Sequence, residues 1–317
     1  MRLDGYLSTD LNAIRAQAEA YEEGGYLGAF SAETSHDPFL PLAIAAEHTS
    51  TIELGTSIAV AFARNPMSLA YTARDLNEYS EGRMILGLGS QIRPHITTRF
   101  SMPWSAPAAR MREFINALHA IWACWDEGTP LRFKGEHYTH IFMSDFFDPG
   151  PSVHGRPDVY LAAVGPMMVR LAAEVCDGWM VHPFTTPSYF TDVALPRFRR
   201  YMDDVDRDHG ECQVSLPAFV VTGADDVAMA ASAERIKQQI GFYGSTPAYM
   251  EVLEHHGWGE LHTELNAMTK ARRWDELGDA IDDDVLHTFA AVSEPDSVDA
   301  ALNDRYGSVV DRISHYT

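Results

Sequence analysis

A polar segment, Glu33-Thr34-Ser35-His36-Asp37, ends a strand-like run at residues 27–33. Its residue types suit proton transfer, because an imidazole beside a carboxylate can exchange a proton near neutral pH. His36 and Glu33 are therefore the candidate catalytic acid/base residues. The same spacing supports, about equally well, a structural role in which Asp37 caps the next helix and His36 is incidental.

Two further strand-like runs carry very small side chains along one face. Side-chain alternation over residues 53–63 predicts one bulky face and one face of serine and alanine. Residues 83–89 place Gly87 and Gly89 on one face. Such faces leave room for a planar ring against the backbone, or they fill a crowded barrel centre. The two runs together favour a ligand.

A strand-like run at residues 158–163 leads into Gly165-Pro166-Met167, where a helix is expected to begin. Free backbone N–H groups and the helix dipole at such a turn can bind a phosphate without a lysine. An ordinary strand-to-helix turn with proline at the first helical position fits the same residues.

Other ligand classes fit the sequence less well. Gly87-Leu88-Gly89 has Ile92 where a dinucleotide fingerprint requires a third glycine, and no P-loop motif occurs. His137 and His140 fall in a predicted loop, where solvent-facing side chains are favoured over ligands. Residues 7–10, after the first strand, lack the paired histidines of metal-dependent barrel hydrolases. We expect no metal.

The formal net charge of -21 argues against nucleic acid or an anionic membrane as a partner and favours solubility. The expected partner is a small-molecule substrate. An anionic ligand would need a local basic patch, and Arg64, Arg93, His95 and Arg99 cluster near the strand-like runs described above. The three cysteines form no CxxC pair, and no long apolar run occurs. These features predict a cytoplasmic protein with core thiols.

The order of elements predicts the fold. Eight strand-like runs alternate with helical patterns, which is typical of a single α/β domain over residues 1–317 with a (β/α)8 TIM barrel fold. Length alone allows two smaller domains as readily. We expect a loop insertion at residues 128–157, with a short hairpin, and a helical insertion at residues 225–291 between strands seven and eight. Chemistry should lie at the carboxyl ends of the strands.

Distinctive motifs extend along almost the whole chain: Gly55-Thr56-Ser57-Ile58, Arg64-Asn65-Pro66, residues 81–90, residues 90–104, residues 161–166 and residues 171–178. Together they resemble the bacterial luciferase-like superfamily, and more closely its deazaflavin (coenzyme F-420) dependent oxidoreductases. The resemblance implies a TIM barrel with an isoalloxazine-like ring at the strand ends, and a homodimer.

The resemblance also implies roles for particular positions. A non-prolyl cis peptide is expected at Ser57-Ile58, a phosphate site at Val164-Gly165-Pro166, and the acid/base position at Glu33-Thr34, with His36 the nearest histidine. The residues expected to contact the cofactor are Thr34, Ser57, Ile58, Ala59, Arg64, Gly87, Gly89, Ser90, Ala163, Val164, Gly165 and Pro166.

One departure from the pattern of this group argues against a sugar-phosphate substrate. Sugar-phosphate dehydrogenases of this group have a carboxylate after the strand-four glycines, whereas Ser90-Gln91-Ile92-Arg93 stands here. The predicted activity is hydride transfer between deazaflavin and another small organic substrate. A flavin mononucleotide (FMN) monooxygenase that uses oxygen is the alternative enzyme, and a non-catalytic flavin-binding protein is the alternative of another class.

Overall fold

The computed structural model describes residues 2–317 and contains a closed barrel of eight parallel strands. Each strand pairs with the next along the chain, and the last pairs with the first. The prediction of a TIM barrel is confirmed. The strands are β1 (Arg2–Tyr6), β2 (Gly28–Ser31), β3 (Glu53–Thr56), β4 (Met84–Gly89), β5 (Asp158–Ala162), β6 (Gly178–Met180), β7 (Gln213–Val221) and β8 (Arg312–Tyr316).

Helices cover the outside of the barrel and shield its apolar outer face from water. Those that follow the first six strands are α1 (Ile14–Glu23), α2 (Phe39–His48), α3 (Pro66–Tyr79), α4 (Pro107–Glu127), α5 (Pro166–Val175) and α6 (Leu195–Asp203). Two of them begin as their sequences predict. Asn65 accepts the Met67 N–H ahead of Pro66 in α3, and Gly165 directly precedes Pro166 in α5.

Between β7 and β8 the chain forms a group of helices with a core of its own. Apolar side chains such as Ile236, Leu253 and Leu265 pack there against Phe219 of β7. The helices are α7 (Asp226–Gly244), α8 (Met250–His255), α9 (Gly259–Lys270) and α10 (Asp283–Phe289), followed by α11 (Val298–Tyr306).

Between β4 and β5, the connection that follows α4 contains one short antiparallel hairpin, Phe133–Lys134 with Thr139–His140. Glu113 of α4 accepts the backbone N–H groups of Glu136, His137 and Tyr138 at the tip of this hairpin. The helix therefore fixes a segment that has little core of its own.

Residues 53–63 do not form the single strand that alternation predicts. The strand ends at Thr56, the Ser57-Ile58 peptide bond is cis, and Ala59–Val60 pairs with β4 as a separate short strand. A 3-10 turn, Ala61–Ala63, follows. The break resets the alternation, so the predicted face of serine and alanine does not exist. The cis bond is where the family resemblance predicts it.

The interior of the barrel is filled at its amino-terminal end. Arg312 is fully buried and donates to both carboxylate oxygens of Asp4, at 2.9 and 2.7 Å, and also contacts Glu53. Above this group lie the side chains of Phe30, Ile85, Tyr160 and Met180.

Two kinds of feature are absent from residues 2–317. No helix is long and apolar enough to cross a membrane. No group of three or more His, Cys, Asp or Glu side chains is arranged to hold a metal ion.

Candidate functional site

The carboxyl ends of β2 and β3 are held together by Glu33 and Arg64. The Glu33 carboxylate accepts the Val60 N–H at 2.7 Å and forms an ion pair with Arg64, while the Glu33 N–H donates to the Ile58 carbonyl at 3.2 Å. The Glu33 side chain is 8% exposed. Both contacts of the carboxylate use the same oxygen, Oε2, so they fix the carboxylate beside the Ser57-Ile58 turn, and the geometry favours a role for Glu33 in holding that turn.

Ser57 and Ile58 face the mouth of the barrel beside Tyr6, the last residue of β1. The Tyr6 hydroxyl lies 3.1 Å from the Ser57 hydroxyl, and burial raises the pKa of Tyr6. Ile58 and Tyr6 both pack against the buried cluster of Phe30, Ile85, Tyr160 and Met180, and Ile58 remains partly exposed. These side chains form an apolar floor with two hydroxyl groups at one edge.

Gly87 and Gly89 make room for protein atoms and do not form an open face of their own. A Cβ on Gly87 would lie 1.8 Å from the Thr56 carbonyl oxygen, and one on Gly89 would lie 2.8 Å from Ile58. The interpretation of these two glycines as a crowded barrel centre therefore fits the structure better than direct contact with a ring. Gly89 would influence a bound ligand indirectly, by leaving room for the Ile58 side chain.

His36 lies on the rim and is exposed. Both carboxylates near it in sequence already have other partners. Asp37 accepts the backbone N–H groups of Phe39 and Leu40 at the start of α2 and lies 3.5 Å from Arg64, which also holds Glu33. The helix-cap interpretation of Asp37 thus describes what is seen, and His36 keeps a side chain that can face a ligand.

The loops after β2 and β4 meet next to His36. Arg99 donates to the Thr34 carbonyl at 2.6 Å, and the Ser90 hydroxyl donates to the Gln91 carbonyl at 3.1 Å. Thr34 and Arg93 are exposed, whereas Ala59 is buried among core side chains. Of these predicted contact residues, Ala59 can reach a ligand only through its backbone.

The turn after β5 forms one wall of an open cleft with an accessible volume of about 70 Å³. Ala163, Val164, Gly165 and Pro166 all line it, and Gly165 faces open space, because a Cβ built there meets no atom within 4 Å. We call this space the β5–β6 cleft. Its other lining residues used below are His182, Thr185, Tyr189, Arg197, Tyr249 and Glu251.

His182 follows β6 and carries a defined tautomer. Its Nδ1 accepts the Phe184 N–H at 3.1 Å, so the neutral ring bears its proton on Nε2. Burial lowers the pKa of His182 to about 3, and the ring stacks on Tyr249 with centroids 4.5 Å apart. His182 is therefore a neutral hydrogen-bond donor in the cleft at physiological pH.

Thr185 provides a second polar group in the cleft. It is 3% exposed, and among residues 2–317 its hydroxyl has no hydrogen-bond partner. A buried hydroxyl without a partner is costly, so a ligand that bonds to it would recover that free energy.

The sequence indicated no role for Tyr6, Arg197 or Glu251, and it marked His182 and Thr185 only as part of a strand end. Tyr6 had a usable signal, because it shares the inward face of β1 with Asp4. Arg197 and Glu251 had none, because they are 54 positions apart and meet only when α8 packs beside α6.

Comparisons with known proteins agree with this architecture. The model of a family described as luciferase-like monooxygenase matches residues 2–312. An uncharacterized protein of Mycobacterium tuberculosis is 50% identical over 313 residues, covering 99% of this chain and 92% of that protein. A second protein of that organism, provisionally named a coenzyme F-420-dependent oxidoreductase, is 28% identical and covers 88% of this chain and 83% of its own length.

Two solved structures share the fold. The coenzyme F-420 dependent tetrahydromethanopterin reductase of Methanopyrus kandleri superposes with a TM-score of 0.79 at 20% identity, covering 99% of this chain and 92% of that chain. The oxygenating constituent of 3,6-diketocamphane monooxygenase of Pseudomonas putida, in complex with FMN, gives a TM-score of 0.67 at 16% identity, covering 99% and 91%.

Proposed function

The chain belongs to the luciferase-like monooxygenase family, and from that membership we propose that it is a deazaflavin (F-420) dependent oxidoreductase. Its reaction would transfer a hydride between the cofactor and a small organic substrate. The observation that carries the proposal is the β5–β6 cleft, which opens at the carboxyl ends of the strands, where chemistry is expected in this fold. It contains the exposed turn at Gly165 and the Thr185 hydroxyl, which has no partner among residues 2–317.

The residues present fit such a cofactor. Gly165 precedes α5 with an open face, which suits a phosphate at a helix amino terminus. Ile58 offers an apolar surface for a ring at the mouth of the barrel. The name of the mycobacterial F-420-dependent relative supports deazaflavin over FMN.

When bound, a deazaflavin supplies a hydride donor or acceptor that is nearly inert to oxygen. The chain would do the rest. Ile58 would hold the ring in one orientation, and the Glu33–Arg64 pair would keep the Ser57-Ile58 turn in place. His36, exposed on the rim, would carry a proton on its imidazole to or from the substrate.

The cofactor can be identified by equilibrium binding of F-420 and of FMN to the purified protein, followed by fluorescence quenching. We expect F-420 to bind with a Kd of about 1 μM or below and more tightly than FMN. Tighter binding of FMN would assign the protein to the oxygen-using enzymes of the family. Binding of neither would overturn the proposal.

A variant tests whether the ring lies where we place it. Ile58→Ala should weaken F-420 binding about tenfold through lost packing. Ile92→Ala is the matched control, because Ile92 is 58% exposed on the same rim. Equal effects of the two substitutions would argue against Ile58 as the ring contact, provided thermal melting shows that both variants are folded.

A further inference from the structure

Arg197 and Glu251 form an ion pair on the wall of the β5–β6 cleft. Arg197 Nη1 lies 3.0 Å from Glu251 Oε2, a second guanidinium nitrogen contacts Oε1, and the Tyr189 hydroxyl donates to Oε2 at 2.8 Å. The hydrogen bond from Arg197 lowers the pKa of Glu251. The pair thus joins α6 to α8 and closes one side of the cleft.

The rest of the cleft presents hydrogen-bond donors for which residues 2–317 provide no acceptor. The Thr185 hydroxyl is buried without a partner, Nε2–H of neutral His182 lies in the same cleft, and α5 begins there at Gly165. Three kinds of donor around one space are suited to an anion with several oxygen atoms, such as a phosphate.

Charge is the second consideration. Among the described residues that line the cleft, Arg197 is the only cationic side chain and Glu251 the only carboxylate. In a protein with a net charge of -21, an anion would need this cation. The side chains of Arg197 and Glu251 are 22% and 49% exposed, so the guanidinium is accessible from the cleft and the carboxylate can turn toward water.

We propose that Arg197 is a phosphate-binding residue and that Glu251 is the counter-ion it leaves when a phosphate enters the cleft. In this arrangement Thr185 and His182 donate to the same phosphate, and Tyr189 stays with Glu251. The identity of the phosphate as that of the cofactor rests on the proposed function. The exchange of Arg197 between two anions does not, because inorganic phosphate alone can test it.

The two partners should respond in opposite directions. Arg197→Gln removes the cation and should lower affinity for FMN relative to riboflavin, which lacks the phosphate, by about tenfold or more. Glu251→Gln removes the competing carboxylate and should raise the affinity for FMN relative to riboflavin several-fold. The measurement is the ratio of the two Kd values from fluorescence titration of each variant. A ratio avoids confusion with small losses of stability.

Matched controls lie on the same two helices. Arg200→Gln removes the same charge from α6 outside the cleft, and Glu254→Gln does so on α8; both side chains are exposed. Neither should change the FMN to riboflavin ratio by more than about twofold, since exposed charges outside the cleft are screened. A purely structural ion pair would predict the same ratio in all four variants, and that result would overturn the inference.

Inorganic phosphate separates this inference from the proposed function. At fixed ionic strength, phosphate in place of chloride should raise the melting temperature of the wild type, and Arg197→Gln should abolish the shift. If no flavin or deazaflavin binds but this shift is present, the proposed cofactor is wrong and the role of Arg197 stands. If cofactor binds and neither the ratio nor the shift depends on Arg197, the inference is wrong and the proposed function stands.

Discussion

The two ends of the barrel differ in whether their buried polar groups have partners within the protein. At the amino-terminal end, Arg312 is fully buried and each of its partners is a carboxylate of the same small group, Asp4 and Glu53. At the carboxyl-terminal end, the Thr185 hydroxyl has no partner among residues 2–317, and Gly165 faces open space. The polar groups of the first end are paired with one another, whereas the second end has a donor without a partner among residues 2–317 and open space beside it.

This difference places residues that stabilise the fold at one end of the barrel and residues that could bind a ligand at the other. A complete network holds the strands in register and gains nothing from a ligand. The open end leaves hydrogen bonds unmade, at a cost in folding free energy that the rest of the barrel must offset. Residues of the first end should therefore control unfolding, and residues of the second should control binding with little effect on unfolding.

Breaking the complete network should have the largest effect. Arg312→Met leaves the Asp4 carboxylate, 2% exposed, without its partner. We expect a loss of about 4 kcal/mol in the free energy of unfolding, because an uncompensated buried charge is strongly destabilising. Urea denaturation of the two proteins measures this loss.

The double variant Asp4→Asn with Arg312→Met is the control for that experiment. It removes the buried charge together with its partner, so it should recover part of the lost stability. A loss below about 1 kcal/mol for Arg312→Met alone would show that this end of the barrel is not held by its charges.

Gly87 lies between the two ends, and its substitution should have the next largest effect. Gly87→Ala would place a Cβ 1.8 Å from the Thr56 carbonyl oxygen, so a backbone segment would have to move. We expect a loss of about 2 to 3 kcal/mol in the free energy of unfolding. Gly165→Ala is the matched control, because its Cβ meets no atom within 4 Å and its φ of -70° suits alanine.

The control also sharpens the comparison between the two ends. Gly165→Ala should change the free energy of unfolding by less than about 1 kcal/mol, while its methyl group projects into the β5–β6 cleft. Equal free energies of unfolding for the two alanine variants would contradict the predicted clash between a Cβ at position 87 and the Thr56 carbonyl oxygen.

Much of this fold could be predicted from sequence because its signals are local. Apolar runs alternating with amphipathic helices predicted the eight strands, and Asn65-Pro66 predicted the start of α3. The run at residues 53–63 was wrongly predicted as one strand, since side-chain alternation contains no information about a backbone break. The position of that break came from family resemblance.

The site was less predictable because its contacts are distant in the chain. Glu33 and His36 are near each other in sequence, yet Arg64 and the Val60 N–H take up the Glu33 carboxylate. Asp37 accepts a backbone N–H at the start of α2, because the first N–H groups of a helix have no acceptor within the helix. Spacing along the chain thus indicated the helix-cap role of Asp37, but it could not indicate the partners of Glu33, which lie 27 and 31 positions away.

The smallest predicted effect concerns Glu22 at the closed, amino-terminal end. Burial alone would raise its pKa, but hydrogen bonds from Ser50, Thr51 and Ile52 outweigh burial and lower the pKa of Glu22 to about 2. A carboxylate with a lowered pKa in the folded state stabilises the protein above its ordinary pKa of 4.5, and that contribution is lost as the pH falls toward 2.

Glu22→Gln should therefore cost about 1 kcal/mol of unfolding free energy at pH 7, allowing for the solvent exposure of the side chain. The difference from the wild type should shrink as urea unfolding is repeated between about pH 5 and pH 3. Glu23→Gln is the control, since Glu23 is exposed beside it and should change stability by less than about 0.5 kcal/mol. A difference that stayed constant with pH would mean that the Glu22 charge does not hold the segment before β3, and that the closed end depends on Arg312 alone.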